Sequence, residues 1–198
     1  MLIYDELSKD HRKLLATLDQ LIASENAGPE VWSALVQQVR DELIPHSRAE
    51  EAILYNALRD ENQTRDLVGH SYVEHAQAEA VLRSIQVSDA MNVSWVSAVK
   101  SLRDALAHHI HEEETELFAA ARRVFSDQEA TQMRDAFVAM KPQIKQEGLM
   151  GTTLDMIANM LPTRLRESVR KTGSDEAPVS RRRSSRSDDA PPSSVSRH

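Results

Sequence analysis

HIHEEETELF (residues 109–118) places two histidines and four glutamates in eight positions before apolar residues resume. HSRAEEAILY (residues 46–55) repeats its order: His, three residues, Glu, Glu, then an apolar and aromatic end. On a helix, His and Glu four residues apart project from one face, one turn apart. Each stretch therefore reads as a helix whose hydrophobic stripe is interrupted by an inward-facing His–Glu pair.

The neighbouring sequence supplies the rest of each stripe. Val99, Leu102 and Leu106 lead into His109, Glu113 and Leu117, while Leu35, Val39 and Leu43 lead into His46, Glu50, Ile53 and Ala57. Two further helices carry Leu7, His11, Leu14, Leu18 and Leu21, and Val68, Tyr72, His75, Glu79 and Leu82. Pro29 suits the first turn of the second helix, and Pro45 is expected to kink it. A shorter fifth helix is expected from Ser126, whose spacing to Glu129 fits a capping box, with Met133, Phe137, Met140 and Ile144 as core filler.

The four helices form a repeat. His46 and His109 are 63 residues apart, and His11 and His75 are 64 apart. DHRKLLATL (10–18) lies opposite EHAQAEAVL (74–82). Two helical hairpins of one design predict an all-α fold, an antiparallel up-down four-helix bundle with additional C-terminal helix or helices. Residues 1–125 form the bundle in this reading, 126–171 a helical extension, and 172–198 a disordered tail rich in Ser, Pro and Arg.

One imidazole then enters the interior from each helix, with two carboxylates able to bridge a pair of metal ions. Four imidazoles, two bridging carboxylates and an oxo or hydroxo bridge leave about two of twelve coordination positions open. Mixed imidazole and carboxylate ligands without sulfur suit iron first, and manganese or zinc after it. The metal ligands are His11, His46, Glu50, His75, His109 and Glu113. Glu79 leaves three roles open, and a third carboxylate ligand is preferred over a partner behind the ligands or a water-facing group. Asp10 and Glu74 read as surface or cap residues, Glu51, Glu112, Glu114 and Glu116 as solvated faces with at most an indirect effect on the site, His108 and His111 as facing neighbours or solvent, and His70 as lying off its helix's stripe.

The bulk numbers bound the function. Cysteine is absent from the 198 residues, which excludes thiolate ligands and disulfides. A formal charge of -7 argues against nucleic-acid binding by the whole chain. Residues 164–198 hold nine Lys or Arg against five Asp or Glu, so the basic charge is gathered at one end. No apolar run suggests a membrane span, and the acidic N-terminal stretch is unlike a signal peptide, so a cytoplasmic protein is expected.

At DHRKL, HSRAEEAILY, EHAQAE and HHIHEEETELF the sequence resembles the hemerythrin-like (HHE cation-binding) domains, over roughly residues 4–125. The resemblance implies a non-haem di-iron centre bridged by two carboxylates and an oxygen atom. By position, His11, His46, His75 and His109 would be terminal ligands and Glu50 and Glu113 bridges. Oxygen-carrying members have another His where this chain has Glu79, and an Asp bridge on the fourth helix where it has Glu113. The more anionic set favours ferric iron, so the expected role shifts from oxygen carriage to binding or sensing oxygen, nitric oxide or peroxide. The alternatives are an enzyme acting on peroxide, oxygen or ferrous iron, with Tyr55 and Tyr72 as candidate redox neighbours, and a metal- or gas-responsive regulator with a protein partner at the C-terminal segment.

Overall fold

The computed structural model describes residues 1–59, 61–87, 94–147, Leu161 and Leu165. Every regular element among them is helical. Helix α1 (Ile3–Ala23) starts where Asp5 accepts the Leu2 amide at 2.8 Å. Gly28 then turns the chain at φ +92°, a conformation only glycine adopts without strain, and Pro29 opens α2 (Pro29–Glu50). α2 continues past Pro45, through a π-helical turn (Glu51–Tyr55), into the single turn α3 (Asn56–Leu58). After Thr64, α4 (Arg65–Val87) returns antiparallel. α5 (Ser94–Glu112) repeats the design, passing through a second π-helical turn (Glu113–Leu117) into α6 (Phe118–Val124).

α1, α2, α4 and α5 close a ring of neighbours, α1 against α2, α2 against α4, α4 against α5 and α5 against α1. Their stripes fill the interior in three layers. At one end Leu14, Leu18, Leu21, Val39, Leu43, Leu82, Val99 and Leu102 surround the edge-on pair Trp32 and Trp95. At the other, Ile3, Leu7, Ile53, Leu58, Leu117 and Phe118 join the C-terminal helix. Between these two apolar layers lie the histidines. Each fully buried Leu or Ile contributes about 1.5–3 kcal/mol, which offsets the cost of holding polar groups between them.

Helix α7 (Asp127–Glu147) differs from the short fifth helix expected. It is 21 residues long, matching α1, because its stripe Met133, Phe137, Met140 and Ile144 is buried along its whole length on α1 and α2. Its capping box is as expected, with Ser126 N–H donating to Glu129 Oε2 at 2.9 Å and Glu129 N–H to Ser126 Oγ at 3.4 Å. Leu161 and Leu165 are buried against the same cluster, while the rest of the expected sixth segment and the tail lie outside the described residues. No helix among those described is long and apolar enough to cross a membrane.

Candidate metal centre

The repeat brings His11, His46, Glu50, His75, His109 and Glu113 together in the middle layer, none more than 4% exposed. They fall into two imidazole pairs. His11 and His46 have ring centroids 4.9 Å apart, and His75 and His109 4.7 Å apart. Each carboxylate spans both pairs. Glu50 Oε2 lies 3.4 Å from His46 Nε2 and 3.7 Å from His75 Nε2. Glu113 Oε2 lies 3.3 Å from His11 Nε2 and 3.8 Å from His109 Nε2. Ligand atoms of His11, His46 and Glu50, and of Glu50, His75 and His109, each fall within 4.8 Å of one another, a spacing that fits two cations sharing Glu50.

Behind the ligands stands a second ring, which corrects the surface roles expected for four acids. Asp10 accepts from His46 Nδ1 at 3.3 Å, and Glu74 from His109 Nδ1 at 2.9 Å. Glu51 accepts from His75 Nδ1 at 3.1 Å, and Glu114 from His11 Nδ1 at 2.9 Å. A carboxylate can only accept, so each Nδ1 carries the hydrogen, and Nε2 is the ring nitrogen turned inward, where its lone pair can meet a cation. The signal was in the repeat: Asp10 and Glu74 are 64 residues apart and Glu51 and Glu114 are 63, the same offsets as the histidines beside them. Each acid lies a helical step off the stripe, where it reaches the adjacent helix, Glu114 while still about a third exposed.

The first π-helical turn begins just after Glu50 and the second on Glu113 itself, one residue earlier in the repeat, with Asn56 N–H reaching Glu51 O and Phe118 N–H reaching Glu113 O. In a regular helix Tyr55 would lie roughly 140° round from Glu50. The wider turn closes that angle and returns Tyr55 to the interior. Its hydroxyl donates to Glu113 Oε1 at 2.8 Å and lies 3.4 Å from both Glu50 Oε2 and His75 Nε2. Burial, reinforced by Glu113 and Glu50, pushes its pKa well up, so it stays a neutral donor. The repeat partner of Tyr55 is Phe118, stacked on His11 without a hydroxyl, so the centre is symmetric in ligands but not in this donor. Tyr72 is directed elsewhere, to Asn56 Oδ1 at 3.2 Å.

The electrostatics describe a centre with too much negative charge for the protein alone. Burial and the neighbouring Glu113 push Glu50 well above the usual carboxylate range. Burial pushes Glu113 the same way, but the His11 imidazole beside it and the fields of His109 and His75 hold it well below. Without cations the pair must share its charge unequally. Glu50 Oε1, Glu113 Oε2 and His11 Nε2 are fully buried and make no hydrogen bond, which is costly unless another group takes them. Two cations between the imidazole pairs would satisfy all three, so the residues present fit the metal pair.

Glu79 is not brought into either cluster. Although it shares the stripe with His75, α2 presents Arg48, whose Nη2 donates to Glu79 Oε2 at 2.9 Å and whose Nη1 donates to Glu51 Oε2 at 3.0 Å. Glu79 therefore reaches His75 only through Arg48 and Glu51. Asp10 has a comparable backing from α7. Burial raises its pKa, but hydrogen bonds from His46 and Lys141 outweigh this and bring it down to about 2. Phe137 sets its ring edge-on to His46 at 5.7 Å, with Lys141 Nζ 4.7 Å above the Phe137 ring.

The sequence pattern described as the Hemerythrin HHE cation binding domain matches residues 2–121, well over half the chain. The chain belongs to the hemerythrin HHE family. The HHE domain thus ends before α7, which supplies Phe137 and Lys141 from outside it. Among curated proteins the chain is similar to a DNA nickase of Nostoc sp., at 29% identity over 149 residues, covering 74% of this chain and 41% of the nickase. The chain spans about two-fifths of that relative's length. No solved structure matches.

Proposed function

We propose that the chain is a non-haem di-iron protein whose HHE centre binds or senses oxygen, nitric oxide or peroxide. The observation that carries this reading is the pair of buried carboxylates, each spanning two imidazole pairs whose Nε2 atoms are turned inward by four outer carboxylates. Imidazole and carboxylate without thiolate favour iron. When bound, the metal pair would supply Lewis acidity and redox capacity. The protein excludes bulk water, fixes the imidazole tautomers through Asp10, Glu51, Glu74 and Glu114, and keeps one neutral hydroxyl, Tyr55, inside the centre.

Space near the ligands favours small molecules. One cavity of about 160 Å³ is lined by His46, Asp10 and Lys141, and another of about 120 Å³ reaches Glu113. The test is purification from iron-supplied cells, with iron content and absorption measured in air, after reduction, and after exposure to nitric oxide. About two irons per chain and a spectrum changed by reduction and by the gas support the reading. Less than one tightly held iron, or a spectrum that air, reduction and nitric oxide all leave unchanged, contradicts it.

A second reading follows from the nickase relative: the same centre would act on a nucleic-acid strand, with the basic residues beyond 164 near the substrate. Conversion of supercoiled plasmid to open circles by the metal-loaded chain, lost in Glu50→Ala, would favour it. Absence of nicking with iron, manganese and zinc alike would remove it.

A further inference from the structure

Outside the buried centre, α4 and α5 carry a second set of His–Glu pairs at helical spacing. His70 and Glu74 are four apart on α4, and His108 and Glu112 are four apart on α5. The two pairs meet at the surface. His70 Nε2 lies 3.4 Å from Glu74 Oε1 and 3.5 Å from Glu112 Oε2, and His108 Nε2 lies 3.2 Å from Glu112 Oε1. Ligand atoms of His70, Glu74 and Glu112 fall within 4.8 Å of one another.

The contacts of His70 are longer than a normal N–H···O bond, which peaks at about 2.9–3.0 Å. They match the edge of a tetrahedron: nitrogen and oxygen ligands about 2.1 Å from a cation stand roughly 3.4 Å apart.

The cluster also adjoins the buried centre. The cavity of about 120 Å³ has His70 and Glu112 at its exposed side and Glu113 among its walls. Glu113 is 2% exposed, and its Oε2 faces His11 and His109 in the centre. Glu74 links the two places directly, with Oε1 towards His70 and Oε2 accepting from His109 Nδ1. The surface cluster and the buried centre thus share a carboxylate and a cavity.

We propose that His70, Glu74 and Glu112 form a labile site for a divalent transition-metal ion, through which metal reaches the buried centre. Imidazole with carboxylate selects ions of the iron, cobalt and zinc class over calcium or magnesium. Two side chains are more than a third exposed, so the ion exchanges with solvent, whereas an ion in the centre is enclosed. The delivery role rests on the reading of the buried cluster as a metal centre. The surface site does not.

The experiment uses the full chain. Cobalt(II) is titrated into protein whose centre is already loaded, followed by visible absorption and calorimetry, for wild type, His70→Ala and Glu112→Gln. Uptake of ferrous iron by metal-free protein is timed in parallel. The expected result is one further cobalt on loaded wild type, none on either variant, unchanged metal in the centre, and iron loading several-fold slower in both variants. No further cobalt on wild type, an extra ion that persists in both variants, or equal loading rates overturns the proposal. A centre that retains no metal in any of the three proteins instead contradicts the di-iron reading, and the cobalt titration still scores the surface site.

Discussion

The two imidazole pairs have the same ligands but different surroundings. The His11–His46 pair lies under α7, where Phe137 packs on His46 and Lys141 holds Asp10. The His75–His109 pair faces a seam that opens into a cavity of about 370 Å³ reaching His109, and the matching acid, Glu74, is backed by the imidazole of His70. A fixed ammonium beside one acid and an exchangeable imidazole beside the other teach that internal repetition preserves ligands while flanking elements set access. Both pairs adjoin a cavity, about 160 Å³ at His46 and about 370 Å³ at His109, and the side covered by α7 has the smaller one.

The strongest challenge to this comparison removes what both pairs share. Glu50→Ala should drop metal content below one ion per chain and abolish metal-dependent stabilisation, about 4 kcal/mol when free metal stands a thousand-fold above its Kd. Metal-free Glu50→Gln should instead melt above metal-free wild type, because it removes a carboxylate whose pKa burial drives up. Thermal melts with and without metal check both signs.

The cover itself comes next. Phe137 is fully buried, so Phe137→Ala should cost about 3 kcal/mol by chemical denaturation. Its effect on metal retention should fall on one ion of the two. Equal weakening of both ions would erase the distinction between the pairs.

Smaller and more selective are the outer carboxylates. Asp10→Asn and Glu74→Gln should each weaken one metal-binding step by about 10–100-fold, and not the same step. Lys141→Met should act on the Asp10 step alone, costing about 1 kcal/mol, since both side chains of this pair are partly exposed. Stepwise calorimetry separates these outcomes.

The inward ligands were legible because helical period and repeat offset act on the same residues. Leu7, His11, Leu14 and Leu18 can face one interior only, and so can His46 with Glu50 or His109 with Glu113. The outer acids were not, since a residue one helical step off the stripe looks solvated until the neighbouring helix is placed. Tyr55 depended further on the π-helical turn, which periodicity at 3.6 residues does not contain. Glu79 shows the converse: it lies on the stripe, yet Arg48 on the facing helix draws its carboxylate aside. The stripe of α7 from Met133 to Ile144 was legible by the same period, and its burial past Pro142 follows from packing on α1 and α2.

The most direct test is a crystal structure of the iron-loaded chain with anomalous scattering collected at the iron edge. Two peaks are expected, one against His11 and His46 and one against His75 and His109, with Glu50 and Glu113 each touching both. A lone peak, or peaks that leave either glutamate bound to a single ion, would contradict the account.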